Sequence, residues 1–339
     1  MQRRTLGRTE LEIPVVVFGA WALGGTGYWG ASDDDLAVSA IREGIENGMD
    51  AIDTAPIYGL GHSEEVVGRA IDGFRDDVVV MTKVGLRWDT EDGGELLMES
   101  TNPDGSVMRV FKNSRPASVR EEVERSLVRL GVDVLDLVQV HWPDATTPIA
   151  DTMGALAELR AEGKLRAIGV SNYSPEQMAE AQAALGDIPL ASDQPKYSLV
   201  AREAEAEVLP WCHEHEVGVV VYSPLEQGLL TGKVPPERTF EEGEGRSHRP
   251  TFRDENRRRV NAVLAETVAP IAESLGATLA QTVIAWTVQQ PGVTAALVGA
   301  RTPQQALENA AAGDLALDAD QWTAIDTAFT NLELEPAAG

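Results

Sequence analysis

Short runs of apolar and β-branched residues alternate with amphipathic segments along almost the whole chain. Within each run the apolar residues are consecutive rather than alternating, which is typical of strands that are buried on both faces of a parallel sheet. The eight predicted strands are 15–19, 50–53, 78–83, 134–141, 165–170, 191–194, 218–223 and 295–298.

The amphipathic segments predict a helix after each strand. Four helix starts have a hydroxyl residue three positions before a carboxyl or amide residue, which is the pattern of a capping box: Ser32, Ser118, Ser174 and Thr302. The predicted helices are 33–47, 63–72, 118–130, 148–162, 175–185, 203–215, 256–275 and 303–312, with two extra helices at 278–289 and 319–329.

Eight strand–helix units favour a closed (β/α)8 TIM barrel. No linker-like segment divides the 339 residues, so the sequence predicts one domain, 1–339. Residues 4–6 and 11–13 predict an N-terminal β-hairpin that closes the bottom of the barrel. Two long connections, 85–115 and 224–255, follow the third and seventh strands. We expect both on the C-terminal face, where barrel enzymes carry their sites.

The chain is strongly acidic, with 28 basic and 54 acidic residues and a net charge of −26. Such a protein repels phosphate backbones, so we expect no nucleic acid as a partner. Cys212 is the single cysteine, which leaves no intrachain disulfide and no thiolate metal cluster, and we expect no metal site. The N-terminus is too polar for a signal peptide, and no run of about 18 apolar residues occurs. These features predict a soluble, cytoplasmic protein without a membrane segment.

Residues 25–30 (GTGYWG) match the dinucleotide-binding pattern G-x-G-x-x-G. In a Rossmann fold that motif follows a strand directly and opens a helix, so that its backbone amides reach the pyrophosphate. Here five residues separate the motif from the first strand, and the predicted helix cap at Ser32 comes later. The sequence therefore favours a Gly-rich loop over the barrel mouth rather than a Rossmann fold.

Polar side chains stand at the ends of three consecutive predicted strands: Asp53, Lys83 and His141, with Tyr58 five residues beyond Asp53. Because a barrel brings neighbouring strand ends together, we expect the four side chains to converge. A nearby ammonium lowers the pKa of a phenol from about 10, and a carboxylate keeps that ammonium charged. Tyr58 could then exchange a proton with a carbonyl or an alcohol, while His141 donates a hydrogen bond to the same oxygen.

The sequence around these residues resembles the aldo-keto reductase superfamily. The nearest branch is that of the bacterial general-stress and inositol-operon reductases, which are related to the potassium-channel β-subunits. The motifs that carry the resemblance are 53–59 (DTAPIYG), 63–65 (SEE), 82–83 (TK), 136–144 (DLVQVHWPD), 163–172 (GKLRAIGVSN), 222–225 (YSPL), 228–233 (GLLTGK) and 299–301 (GAR).

The resemblance implies a barrel that binds NADPH across its C-terminal face and reduces a carbonyl group, with Tyr58 as proton donor, tuned by Asp53 and Lys83, and His141 orienting the carbonyl. It places the nicotinamide and pyrophosphate contacts at Trp21, Ser171, Asn172, Gln194, Tyr222, Ser223, Pro224, Leu225, Gln227 and Gly228. It places the adenosine contacts at Gly299, Ala300, Arg301, Thr302, Gln305, Glu308 and Asn309. Trp21 and Trp142 would line the substrate side together with Tyr58 and His141.

Three of the residues assigned to coenzyme binding could have a purely structural role instead. Gln305 could serve only the helix cap, Tyr222 could fill the barrel, and Arg301 could be an exposed residue paired with Glu308. Glu226 departs from those relatives that carry a basic residue beside the pyrophosphate, which places cofactor affinity in question.

Three functions fit the sequence. The first is an NADPH-dependent carbonyl reductase, for which NADH is also possible. The second is an NAD(P)-dependent sugar or polyol dehydrogenase that works in the oxidative direction. The third is a nucleotide-binding redox-sensor subunit. For the enzyme, the expected partner is a small carbonyl or alcohol substrate, and the expected state is a monomer or a weak homo-oligomer.

Overall fold

Eight parallel strands form a closed barrel in which each strand pairs with its neighbours in chain order. The computed structural model describes residues 1–25, 32–90, 94–101, 107–240 and 245–335. The barrel strands are β3 (Val16–Gly19), β4 (Ala51–Asp53), β5 (Val79–Val84), β9 (Leu135–Val140), β10 (Leu165–Ser171), β11 (Leu190–Gln194), β12 (Gly218–Tyr222) and β13 (Ala295–Val298). The predicted TIM barrel is confirmed, and each predicted strand end lies within about one residue of the observed one.

Helices surround the barrel and cover its outer apolar face. They are α1 (Asp34–Glu46), α2 (His62–Ile71), α3 (Pro116–Leu130), α4 (Ile149–Ala161), α5 (Pro175–Leu185), α6 (Val208–Glu214), α7 (Asp254–Val263), α8 (Ala269–Ser274), α9 (Leu279–Gln289), α10 (Pro303–Ala311) and α11 (Ala319–Thr330). The prediction of one helix over 203–215 was wrong in extent, because the segment begins with a separate 3₁₀ turn, Glu203–Glu205.

Two of the four predicted helix caps were wrong. The side chain of Asp33, not Ser32, accepts a hydrogen bond from the backbone N–H of Leu36 and caps α1. Helix α3 begins at Pro116, two residues before the predicted start at Ser118. Proline fits the first helical position because its φ suits a helix and its missing N–H would have no partner there.

The other two caps are present. Ser174 and Gln177 form a complete capping box at the start of α5. At the start of α10, Thr302 accepts from the backbone N–H of Gln305, but the Gln305 side chain accepts from the N–H of Arg301 instead of Thr302. The Gln305 side chain therefore stabilises the turn that contains Arg301, while its backbone N–H takes part in the helix cap.

The predicted helix 256–275 is interrupted by a π-helical turn, Leu264–Val268, between α7 and α8. The chain continues into Ala269–Ser274, whose second residue is Pro270. Proline has no N–H to donate four residues back, so the α-helical ladder cannot pass through this point unchanged.

The N-terminal hairpin closes the bottom of the barrel, as predicted. Strands β1 (Arg3–Thr5) and β2 (Glu12–Pro14) pair antiparallel. Leu6, Leu11 and Ile13 from this hairpin belong to the same buried cluster as the inward-facing strand residues. The barrel is thus filled at its lower end by apolar side chains.

The two long connections lie after β5 and β12, as predicted, and both contain regular structure. The first holds a three-stranded antiparallel sheet of β6 (Leu86–Arg87), β8 (Val107–Lys112) and β7 (Glu95–Thr101). The second contains short 3₁₀ turns before α7 begins.

The Gly-rich motif 25–30 falls, apart from Gly25, outside the described residues.

Among the described helices, no single one is long and apolar enough to cross a membrane. One pair of helices, Asp254–Ser274 and Leu279–Gln289, has the necessary length and composition when taken together, but the pair is bent by 89°.

Arg4 fastens the hairpin to the barrel. One of its guanidinium nitrogens, Nη1, donates to the carbonyls of Val288 at 2.9 Å and Val293 at 2.6 Å. We expect Arg4→Ala to lower the free energy of unfolding by about 2–3 kcal/mol, in the range for hydrogen bonds to a charged group. Denaturant unfolding would measure the loss. Arg8→Ala is the matched control, since Arg8 is exposed and donates to Gln182. Equal losses for the two variants would contradict this role.

Candidate active site

A buried ammonium group organises the mouth of the barrel. Lys83 is fully buried near the end of β5, and its Nζ donates to Asp53 Oδ1 at 2.5 Å and to the carbonyl of Thr54 at 3.0 Å. The same Nζ lies 3.2 Å from the Tyr58 hydroxyl. Burial tends to lower the pKa of Lys83, but Asp53 and Tyr58 outweigh this effect and raise it. Lys83 is therefore a charged group at neutral pH.

Two glutamines hold the second oxygen of Asp53. Gln139 and Gln194 both donate from their amide nitrogens to Asp53 Oδ2, at 3.2 and 2.9 Å. These side chains come from β9 and β11, so Asp53 is tied to two further strands. Neither Gln139 nor Thr54 was predicted from the sequence to have a catalytic or structural role of its own. Gln139 could have been identified as a candidate site residue because it is a polar residue inside a mostly apolar predicted strand.

Tyr58 and His141 face each other at this site. Their rings meet edge to face with centroids 5.7 Å apart, and Trp21 lies 6.3 Å from the Tyr58 ring. Burial raises the pKa of Tyr58, and Lys83 offsets only part of that increase. This corrects the expectation of a lowered value, because the sequence could not show the burial. Burial and the charge of Lys83 hold the pKa of His141 well below its ordinary value, so the imidazole is neutral.

Tyr58 is positioned by a close approach of two backbone segments. It opens a 3₁₀ turn, Tyr58–Gly61, in which Gly59 has φ +62°. A Cβ on Gly59 would lie 2.2 Å from the carbonyl oxygen of Gly24, in the segment after β3. Only glycine fits both the left-handed backbone and this contact. Neither glycine was given this role from the sequence.

A second polar cluster lies at the ends of β10, β11 and β12. Asn172 donates to Ser171 Oγ at 2.9 Å and to the carbonyl of His141 at 3.1 Å. The Tyr222 hydroxyl donates to Asn172 Oδ1 at 3.0 Å, and Ser171 Oγ donates to the carbonyl of Gln194 at 2.8 Å. The structure thus brings together the four residues expected around a nicotinamide ring, next to His141.

The loop after β12 has an irregular backbone. Ser223, Glu226 and Gln227 have φ of +59°, +42° and +52°. Pro224 is buried, while Ser223, Leu225, Gln227 and Gly228 are half-buried, so part of this predicted cofactor loop is accessible. Glu226 is fully buried and accepts from Lys196 Nζ at 2.8 Å, so its charge is paired within the protein.

The predicted adenosine segment follows β13 and leads into α10. Arg301 is exposed, directly before the helix cap at Thr302. Asn309 is buried and donates to the carbonyl of Gly299 at 3.1 Å, so it braces the loop. Ala300 is buried, Gln305 is exposed and Glu308 is half-buried. This group follows β13, which pairs with β12, so it lies at the same end of the barrel as the other two clusters.

Trp142 completes the predicted substrate side. It follows His141 directly and is half-buried, as are Trp21 and Tyr58. Each of these three aromatic side chains is therefore partly accessible to solvent.

A family model of the aldo/keto reductase family matches residues 15–329. The chain belongs to the aldo/keto reductase family. The predicted enzyme class, an NAD(P)H-dependent oxidoreductase, is thereby confirmed. Among curated relatives, "Aldo-keto reductase YhdN" of Bacillus subtilis is 38% identical over 307 residues, 90% of this chain and 86% of that protein. "NADH-specific methylglyoxal reductase" of Escherichia coli is 38% identical over 326 residues, 94% of this chain and 96% of that protein.

The predicted branch of the family is also confirmed. The chain is 32% identical to a "Probable voltage-gated potassium channel subunit beta" of Arabidopsis thaliana, over 93% of this chain and 92% of that protein. Among solved structures, the glycerol dehydrogenase AKR11B4 from Gluconobacter oxydans superposes with a TM-score of 0.85 at 38% identity, covering 99% and 97% of the two chains. An aldo/keto reductase from Klebsiella pneumoniae in complex with NADP and acetate gives 0.71 at 29% identity, covering 97% and 96%.

The contact of Gly59 with Gly24 gives a test of how this aldo/keto reductase holds Tyr58. We expect Gly59→Ala to lower kcat by about tenfold or more, since a misplacement of ~1 Å can lower a rate up to ~10²-fold. The rate with a generic aldehyde would be measured alongside the melting temperature. The control is Gly131→Ala, where φ is +65° but no atom lies within 4 Å of the new Cβ. An unchanged kcat in a folded Gly59→Ala protein would argue against this positioning.

Proposed function

We propose that residues 1–339 form one catalytic domain that reduces an aldehyde or ketone to an alcohol with NADPH, and that Tyr58 donates the proton. The observation that carries this proposal is the position of Lys83 Nζ between Asp53 and the Tyr58 hydroxyl. A paired, buried ammonium beside a phenol is an arrangement suited to proton transfer and unnecessary for packing.

The residues around the mouth suit a nicotinamide dinucleotide. Amide and hydroxyl groups of Ser171, Asn172 and Gln194 converge where a carboxamide could exchange hydrogen bonds, beside the Tyr222 ring. The N-terminus of α10, with Arg301 before it, suits a phosphate group. When bound, the dinucleotide supplies the hydride.

Proton transfer then depends on four side chains of this chain. The raised pKa keeps the Tyr58 hydroxyl protonated at neutral pH, so it is a donor. As the proton leaves, Lys83 stabilises the developing negative charge on the phenol oxygen, and Asp53 keeps Lys83 in place. Neutral His141 donates a hydrogen bond to the carbonyl oxygen from the other side.

Separate observations bear on which coenzyme the enzyme uses and on whether it works as a reductase or as a dehydrogenase. Arg301 before the helix N-terminus favours a coenzyme with a 2′-phosphate, hence NADPH. The Escherichia coli relative is named as NADH-specific, so NADH is the alternative coenzyme. The likeness to a glycerol dehydrogenase supports the second candidate, oxidation of a polyol with the same residues. In that direction Tyr58 must first lose its proton in order to accept one from the alcohol, and its raised pKa favours this step at alkaline pH.

Tyr58→Phe tests the proton donor. The variant keeps the ring and removes the hydroxyl, so we expect carbonyl reduction to fall by about 10²–10⁴-fold, the usual range for a general acid. NADPH binding, measured by fluorescence titration, should change little. Tyr197→Phe is the control, because it removes a buried hydroxyl that donates to Glu205 outside the site. Retention of more than about a tenth of the rate would remove Tyr58 from its role.

Arg301→Ala tests the coenzyme assignment. Loss of the guanidinium should weaken NADPH binding by about 1.5–3 kcal/mol, the range for hydrogen bonds to charged groups. NADH has no 2′-phosphate, so its dissociation constant should be nearly unchanged, and titration of both coenzymes would separate the effects. An equal loss for both would mean that Arg301 supports the loop, and the preference for NADPH would need another cause.

A further inference from the structure

Asp193 is a buried carboxyl group without a cationic partner among the described residues. It lies on β11 directly before Gln194 and is 0% exposed. One oxygen accepts from the backbone N–H of Tyr173 at 3.4 Å, and the other has no hydrogen-bond partner. Burying a carboxyl in this way is unfavourable, because the lost hydration is not replaced.

The position of Asp193 connects it to the proposed nicotinamide cluster. In the barrel, Asp193 pairs in register with Val170 of β10 and Val219 of β12, and Gln194 pairs with Ser171. Tyr173, whose N–H it accepts, directly follows Asn172, which has φ +62°. Gln194 points to Asp53 at the barrel mouth, so the Asp193 side chain points to the opposite, helix-facing side of β11, one residue away from the group that would hold the carboxamide.

The groups facing Asp193 come from three neighbouring elements. Tyr173 precedes α5, Cys212 lies on α6, and Tyr222 ends β12; the charge of Asp193 raises the pKa of each beyond the effect of burial. Burial raises the pKa of Asp193 itself to about 8, although the N–H groups of Tyr173 and Gln194 lower it in part. All three side chains are neutral at neutral pH, so a negative charge at Asp193 is uncompensated.

We infer that Asp193, once ionised, makes the site prefer the oxidised coenzyme, because its negative charge attracts the ring that becomes positive when hydride leaves it. The inference rests on the proposed function, because it needs the nicotinamide ring near Gln194 and Tyr222. NADPH has an uncharged nicotinamide and gains nothing from Asp193. NADP⁺ has a positive ring and is attracted.

The same charge links coenzyme binding to a proton. Below pH 8 Asp193 is largely protonated, and it ionises as the pH rises through about 8. Because NADP⁺ favours the ionised form, its affinity should rise with pH in this interval. By reciprocity, binding of NADP⁺ should lower the pKa of Asp193 and release protons to the solvent.

The decisive variant is Asp193→Asn, which keeps the shape and removes the charge. Dissociation constants for NADP⁺, NADPH and adenosine 2′,5′-bisphosphate would be measured by calorimetry at pH 8.5. We expect NADP⁺ binding to weaken about four- to fifteenfold, which is the effect of a unit charge if it acts over ~10 Å at an effective dielectric constant of ~20–40. NADPH and the adenosine bisphosphate should bind as they do to the wild type.

The matched control is Glu122→Gln. Glu122 on α3 is also buried, has one oxygen without a partner, and has its pKa raised to about 8 by burial. It accepts from the backbone N–H of Gly85, outside the proposed nicotinamide cluster. Its neutralisation should leave the ratio of NADP⁺ to NADPH affinity unchanged.

Proton release by the wild type is a second measurement that needs no variant. A pH indicator in weakly buffered solution near pH 8 should report protons released on addition of NADP⁺ and none on addition of NADPH. Asp193→Asn should abolish the release. Its melting temperature at pH 8.5 should equal or exceed that of the wild type, because the folded state no longer has to bury a carboxylate.

Several outcomes would overturn the inference while leaving the proposed function intact. Equal weakening of NADP⁺ and NADPH in Asp193→Asn would mean that Asp193 only supports the local structure. Unchanged binding of both, or no proton release by the wild type, would mean that its charge does not reach the ring. If the wild type bound neither dinucleotide, the proposed function and this inference would fail together.

Discussion

The ammonium of Lys83 is fully buried, and the geometry of the barrel mouth depends on keeping it charged. A lone charge at this depth would be strongly unfavourable, so it needs a carboxylate and further acceptors in place before it can exist. Asp53 on β4 provides the carboxylate, and Gln139 on β9 and Gln194 on β11 hold its second oxygen. One charge on β5 therefore specifies the mutual placement of four of the eight barrel strands, and Tyr58 is placed against the same group.

Much of the fold was predictable because the strands are buried on both faces and so read as unbroken apolar runs. The helix starts were less predictable. Ser32 and Asp33 can both accept the capping bond, and only the path of the chain decides between them. The interruption of the long helix by Pro270 depends on how neighbouring turns rearrange, which composition does not show.

The four proposed catalytic residues were predictable from topology, since each lies at or near a strand end. Their environment was not. The lowered pKa expected for Tyr58 considered only a nearby ammonium, whereas desolvation has the larger effect in the folded protein. The expected disadvantage of Glu226 also ignored Lys196, which is thirty positions earlier in the chain but in contact with it. The contact between Gly24 and Gly59 is equally invisible before the chain folds.

The hairpin that plugs the lower end of the barrel has a consequence for how this scaffold can diversify. Groups that hold the barrel closed, such as Leu6 and Ile13, lie at one end of the strands, while the proposed reacting groups lie at the other. The connections after β5 and β12 begin at the reacting end, and none of their described residues belongs to the buried cluster at the lower end. Insertion or exchange of these loops can therefore change the walls of the substrate pocket without disturbing the packing at the lower end of the barrel. The fold can in this way acquire new substrate ranges at little cost in stability.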